Sequence, residues 1–288
     1  MSTTTTPSVA APSAPARAAR RRAGSGLSFA GILRSEWIKL RTVRSTWWSY
    51  SVVVVIALGM AAIMSAAFSV ENLQGGSGEM PPSDQANWVV TASTFGIFFG
   101  QLVVAVLGVL VVTGEYSTGM IRSTLTAVPR RLAALWAKAA VLFTATFVVG
   151  AVSVIGSFLL VAPILAGKGI HANLLDGVVI VPLLAGALYL ALLAVFALGV
   201  GTILRNSAGG IAATLGIVLL LPIVLLAIPA TWAQDLLPYL ISNAGLAMLG
   251  TNATGPGNIE PWQNLLIVLG WLTVSLVGAA LVLRRRDA

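Results

Sequence analysis

The stretch VVIVPLLAGALYLALLAVFALGVGTILRNSAGGIAATLGIVLLLPIVLLAIPA, residues 178–230, decides the fold class. Its one charged residue is Arg205. About 20 apolar residues cross the hydrocarbon core of a bilayer, so the stretch is long enough for two spans, and residues 204–208 form its polar break. It predicts a tight hairpin of two membrane helices, 178–203 and 209–230, in place of one continuous rod. Four further apolar runs qualify by the same measure: 47–69, 89–112, 139–163 and 262–283. The expected fold is an all-α polytopic membrane protein of six transmembrane helices.

Composition agrees. Of 288 residues, 57% are hydrophobic and 9% charged, with a mean hydropathy of +0.93. A soluble domain carries about a quarter charged residues, so a soluble enzyme is excluded. Zero cysteines and one histidine exclude a disulfide framework and any Cys/His zinc site. His171, in a loop beside Lys168 and Asp176, has no place in a Ser/His pair inside the bundle. The spans carry Asp, Glu, Lys or Arg only at their ends, so no ion or proton relay is visible. No GxxxxGK[ST] loop is present to bind a nucleotide. The polar residues within the spans, Thr91, Ser93, Thr94, Gln101, Ser153 and Ser157, either line a path or satisfy neighbouring helices.

Six spans place sixteen of the seventeen Lys and Arg on one side and leave Lys168 on the other. By the positive-inside rule both termini are expected in the cytoplasm, the protein lying in the plasma (inner) membrane. The net charge of +8 is thereby assigned to topology and to anionic lipid, with no nucleic acid expected as a partner. Residues 1–26, rich in Thr, Ser, Pro, Ala and Arg, are expected to be a disordered basic tail. Gly96 and Gly100 form a GxxxG, expected to serve packing within the chain or a dimer seam.

Two segments on the basic side carry most information. Residues 27–46, LSFAGILRSEWIKLRTVRST, place Phe29, Ile32, Leu33, Trp37, Leu40 and Val43 on one helical face flanked by Arg34, Lys39, Arg41 and Arg44, the pattern of a helix lying in the interface. Glu36 falls on that apolar stripe. It is either a helix partner of Lys39 or a contact for a protein docked beneath the membrane. Residues 114–131, GEYSTGMIRSTLTAVPRR, follow the second span. With Ser117 as a cap, Ile121, Leu125 and Val128 would line a short helix closed by Pro129, with Arg122, Arg130 and Arg131 as charge. The alternative is an interfacial turn held to lipid headgroups, which uses neither Glu115 nor Gly119.

The order of these motifs resembles the ABC-two exporter type of ABC transporter permease: E-W-x-K-L-R at 36–41, six spans, G-E-Y-x-x-G-x-I-R-x-x-L at 114–125 ending in P-R-R, and L-R-N-S-A-G-G at 204–210. The likeness covers roughly residues 27–286. It implies a membrane subunit without a catalytic site, paired with a second permease subunit as a homo- or heterodimer and driven by a separate cytoplasmic ABC ATPase that holds ATP and Mg. It also implies that 27–46 is an elbow helix, including Glu36, Trp37, Lys39 and Arg41, ahead of a permease domain at 47–286. The docking (coupling) helix then comprises Glu115, Gly119, Ile121, Arg122, Leu125, Val128 and Arg130, and 231–261 holds short re-entrant helices. The rival expectation is a non-transporting membrane adaptor that recruits a cytoplasmic partner.

Overall fold

The computed structural model describes residues 28–67, 81–120, 131–250 and 259–285. The basic tail and most of the expected coupling helix, from Ile121 to Arg130, lie outside them. Among the described residues there is no strand, and six helical stretches are long and apolar enough to cross a membrane. The expected class holds. The second, third, fourth and sixth spans run beyond their apolar runs at both ends because helix continues into flanking residues, while the first and fifth begin earlier and their helices are described to Ala67 and Ala227.

A first helix, α1 (Phe29–Thr42), precedes the spans. It ends at Val43, whose backbone is extended, and the carbonyls of its last turn are taken up locally: Thr42 Oγ1 donates to Lys39 O at 3.0 Å and the Trp47 indole donates to Arg41 O at 2.9 Å. The first span is α2 (Arg44–Ala67). Its last carbonyls, Ser65 O and Ala66 O, accept from Lys168 Nζ at 2.9 and 3.1 Å, a cation on the negative end of a helix.

The second span divides into α3 (Pro82–Thr94) and α4 (Ile97–Ser117). Between them Phe98 N–H bonds Phe95 O and Phe99 N–H bonds Gly96 O, tightening the turn. Gly96 is required there, since a Cβ would lie 2.5 Å from the Cα of Ala57 on α2. The third span, α5 (Arg131–Ala166), has 36 residues and at 1.5 Å per residue measures roughly 54 Å, well beyond a ~30 Å hydrocarbon core.

The fourth span, α6 (Gly177–Leu204), is the centre of the molecule. It packs against α4, α5 and the last span, α11 (Pro261–Arg285). From Gly186 to Thr202 nearly every residue except Leu188 is buried, as expected of a helix apolar on all sides. The predicted hairpin follows. Arg205 closes α6 in the left-handed conformation (φ 55°), with its N–H on Gly201 O. Asn206 opens α7 (Ser207–Leu215) by accepting from Gly209 N–H at 2.9 Å. A π-helical turn at Gly216–Leu220 joins α7 to α8 (Leu221–Ala227), completing the fifth span.

Before the last span come two short helices, α9 (Thr231–Leu236) and α10 (Ile241–Ala247). Gly245 of α10 sits directly on the Tyr189 ring of α6, where a Cβ would fall 1.9 Å from Cε2. The Tyr189 hydroxyl in turn donates to Gln101 of α4 inside the bundle. Of the polar span residues, Gln101 is thus paired, and Ser93, Thr94 and Ser153 donate to carbonyls of their own helices. The GxxxG likewise packs inside the chain, Gly96 on Ala57 and Gly100 facing Val53.

Candidate functional site

The charged side chains that the sequence sets against apolar faces converge at the Glu115 end of the bundle. On α1, Ile32, Glu36 and Leu40 are the buried residues. The expected apolar face is therefore divided. Its Glu36 edge turns into the protein, while Phe29, Trp37 and Val43 remain exposed. Ile32 meets Ala137 of α5, flanked by Leu33 and Ala133, and this apolar seam fixes α1 alongside α5. On α5, Lys138 shares the buried stripe of Ala134, Leu135, Leu142 and Ala145 at helical spacing. On α4, Glu115 is buried in the last turn.

Glu36, Lys39, Glu115 and Lys138 form a quartet in which each lysine touches both carboxylates. Lys138 Nζ donates to Glu36 Oε2 at 2.5 Å and to Glu115 Oε1 at 2.8 Å. Lys39 Nζ donates to Glu36 Oε1 at 2.7 Å and to Glu115 Oε1 at 3.1 Å. Glu115 Oε2 is buried without a hydrogen-bond partner. Two positive and two negative charges cancel, and three of the four side chains are under a tenth exposed. Burial pulls the Lys39 ammonium pKa down, but its hydrogen bond to Glu36 and the charges of Glu115 and Glu36 outweigh burial, leaving it above its ordinary value.

Both accounts of Glu36 had considered α1 or an outside partner. It does pair with Lys39, and it also holds Lys138, a residue that the charge count had assigned to topology alone. Counting charges gives no partner. The available signal was the position of Lys138 on an otherwise apolar helical stripe.

The opposite side of the α4 foot is tied to the hairpin. Ser207 Oγ donates to Thr113 Oγ1 at 2.9 Å, and the Arg205 guanidinium lies 5.5 Å from the centre of the Tyr116 ring. In G-E-Y, then, Glu115 faces α1 and α5 while Tyr116 faces the α6–α7 turn. Ser117 does not begin a new helix. It is the last residue of α4, and its hydroxyl donates back to Gly114 O at 3.0 Å. Gly119, at φ 72°, then takes the left-handed conformation that stops the helix. The other expected docking residues, Ile121, Arg122, Leu125, Val128 and Arg130, lie outside the described residues. Trp37 and Arg41 of α1 are exposed and take no part in the quartet.

At the other end, a cavity of about 790 Å³ opens between the start of α3, the end of α5 and the loop before α6, with His171, Asn173 and Asp176 on its rim. His171 is held there through its backbone N–H, which donates to Gln85 Oε1 at 2.9 Å.

Comparison with known proteins decides the family. The sequence profile described as ABC-2 family transporter protein matches residues 32–222, which include most of α1, the quartet, the G-E-Y foot and the hairpin. The chain belongs to this family. No curated protein matches it. It is accordingly a multi-pass membrane protein and the permease component of an ABC transporter, a class of transport component that in general works with an ABC ATPase and has no catalytic site of its own.

Proposed function

We propose that the permease is the membrane subunit of an ATP-driven exporter, moving its substrate by alternating access with energy supplied by a separate cytoplasmic ATPase. ATP and Mg²⁺ then bind that partner and not this chain. Segment 115–130 is the docking element that couples to the ATPase: Glu115 sits in the last turn of α4 and Gly119 at its stop, and Ile121, Leu125 and Val128 then supply the apolar ridge with Arg122 and Arg130 around it. Helix α1 is the elbow helix, lying on the cytoplasmic face of the plasma membrane with Phe29, Trp37 and Val43 towards lipid. Both termini are cytoplasmic, and a second permease subunit, identical or related, completes the pathway.

The observation that carries this proposal is the position of the quartet. Residues 118–130 run between the end of α4 and the start of α5, and those two ends are joined to each other and to α1 by buried ion pairs. Force applied to the segment between them would reach three helices together, and through Thr113 and Tyr116 the α6–α7 turn as well.

Co-purification in detergent is the test. An ATPase subunit recovered in equal proportion with the permease is the expected result, and its reproducible absence favours an adaptor. Replacing Ile121 and Leu125 together with Ser should remove the ATPase while leaving membrane insertion normal, because apolar anchors dominate such contacts. Retention of both ATPase and transport in that variant overturns the coupling assignment. Leu125→Ala, at a cost of about 2 kcal/mol of docking energy, should weaken recruitment more than Arg131→Ala, whose effect falls on rate and salt dependence.

A further inference from the structure

The two carboxylates of the quartet are held differently. Glu36 gives one oxygen to each lysine. Glu115 receives both lysines on Oε1, and its Oε2 is buried and unpaired. Removal of either carboxylate would therefore have unequal consequences. If Glu115 withdraws, Glu36 keeps an ammonium on each oxygen and Lys138 keeps its shortest contact, at 2.5 Å. If Glu36 withdraws, both ammonium groups are left crowded on one oxygen of Glu115.

Packing divides along the same line. The α1–α5 contact has an apolar seam at Ile32 and Ala137 in addition to the Glu36–Lys138 pair. The Glu115 link to α1 runs through Lys39 at 3.1 Å, the longest of the four contacts and the one made by the most exposed member. Of the two contacts of Glu115, the one to Lys39 is long and partly solvated and opens at least cost, whereas the one to Lys138, at 2.8 Å and buried, must open with it before the foot of α4 is free.

We infer that the quartet is a clamp with one fixed and one exchangeable arm. Glu36 and Lys138 are positioning residues that keep α1 and α5 together as one body throughout the transport cycle. Glu115 is the arm that leaves, releasing the foot of α4 from that body when the segment after it is displaced. The inference rests on the exporter proposal for its source of motion, while the inequality of the two carboxylates stands on geometry.

The test uses the full-length permease with its co-purified ATPase, in proteoliposomes with MgATP. Since the chain has no cysteine, Ile32→Cys and Ala137→Cys can be bridged by a short bifunctional thiol reagent. Bridging should leave ATP hydrolysis within about twofold of the unbridged variant, because α1 and α5 need not separate; a loss of about tenfold or more overturns the clamp. In a second measurement, Glu36→Gln and Lys138→Met should lower the thermal midpoint in detergent more than Glu115→Gln, whereas Glu115→Gln should change ATP hydrolysis per complex by about threefold or more. Equal thermal losses for Glu36→Gln and Glu115→Gln, with hydrolysis unchanged in the latter, also overturn it. Should Glu36→Gln fail to accumulate, the bridged pair decides alone. A preparation without ATPase defeats the exporter proposal and with it the motion of the clamp, and the ranking of thermal midpoints then still decides whether Glu36 and Glu115 are held unequally.

Discussion

Lys138 is the single side chain on which the basic end of the bundle depends most. It reaches Glu36 across 102 positions of sequence and Glu115 across 23, in a site where it is 7% exposed. Lys138→Met would leave two buried carboxylates facing Lys39 alone, and removing one partner from such a site costs about 3–5 kcal/mol. Lys168→Met, at the opposite end, removes a cation from the carbonyls of α2 and should cost about 1 kcal/mol or less. Thermal unfolding of the two variants in detergent should rank them in that order. Glu36 was legible as a misfit because a carboxylate on an apolar stripe contradicts the pattern around it. Lys138 was not, because a lysine near a span end already has an accepted meaning in the positive-inside rule, and its partners are long-range. Of the three acidic residues on the basic side, two prove to be the ones that hold helices together.

Among the elements, α6 and the broken second span organise the packing. Small residues allow the approach: Gly108 of α4 lies against the Ala194 carbonyl of α6, and Gly199 of α6 lies against Ser275 of α11. These contacts take the glycines for packing within the chain. Gly96→Ala should destabilise by about 1–3 kcal/mol, since the methyl would meet α2 backbone and neither helix can yield without shifting its neighbours. Gly59→Ala, on α2 with nothing within 4 Å of a built Cβ, should be neutral or stabilising by up to about 1 kcal/mol. The comparison separates close approach from helix propensity, and denaturation in a mild detergent would measure both. Six spans and the 204–208 turn were readable because length and apolarity alone define a crossing. The break at residues 95–96 and the π-helical turn at Gly216–Leu220 were not, since both lie inside uncharged spans and depend on which helix each residue meets.

At the scale of the whole molecule, the charge distribution and the fold make one joint statement about orientation. The quartet and the α6–α7 turn share one end of the bundle, through Tyr116 and Arg205. The Lys168 loop and the cavity beside His171 lie at the other, one length of α5 away. On the orientation proposed above, which follows the positive-inside rule, the first end would face the cytoplasm. Two exposed described positions test this: Thr118, just past the foot of α4, and Asn173, in the loop before α6. In a chain with no native cysteine, Asn173→Cys should react with a membrane-impermeant thiol reagent added to intact cells. Thr118→Cys should react only after the membrane is opened. Both substitutions replace exposed polar residues, so neither disturbs a buried contact, and equal labelling after permeabilisation controls for expression. Reaction of Thr118→Cys in intact cells would place the G-E-Y foot outside, beyond the reach of any cytoplasmic ATPase. That outcome would sink the orientation and the proposed coupling with it.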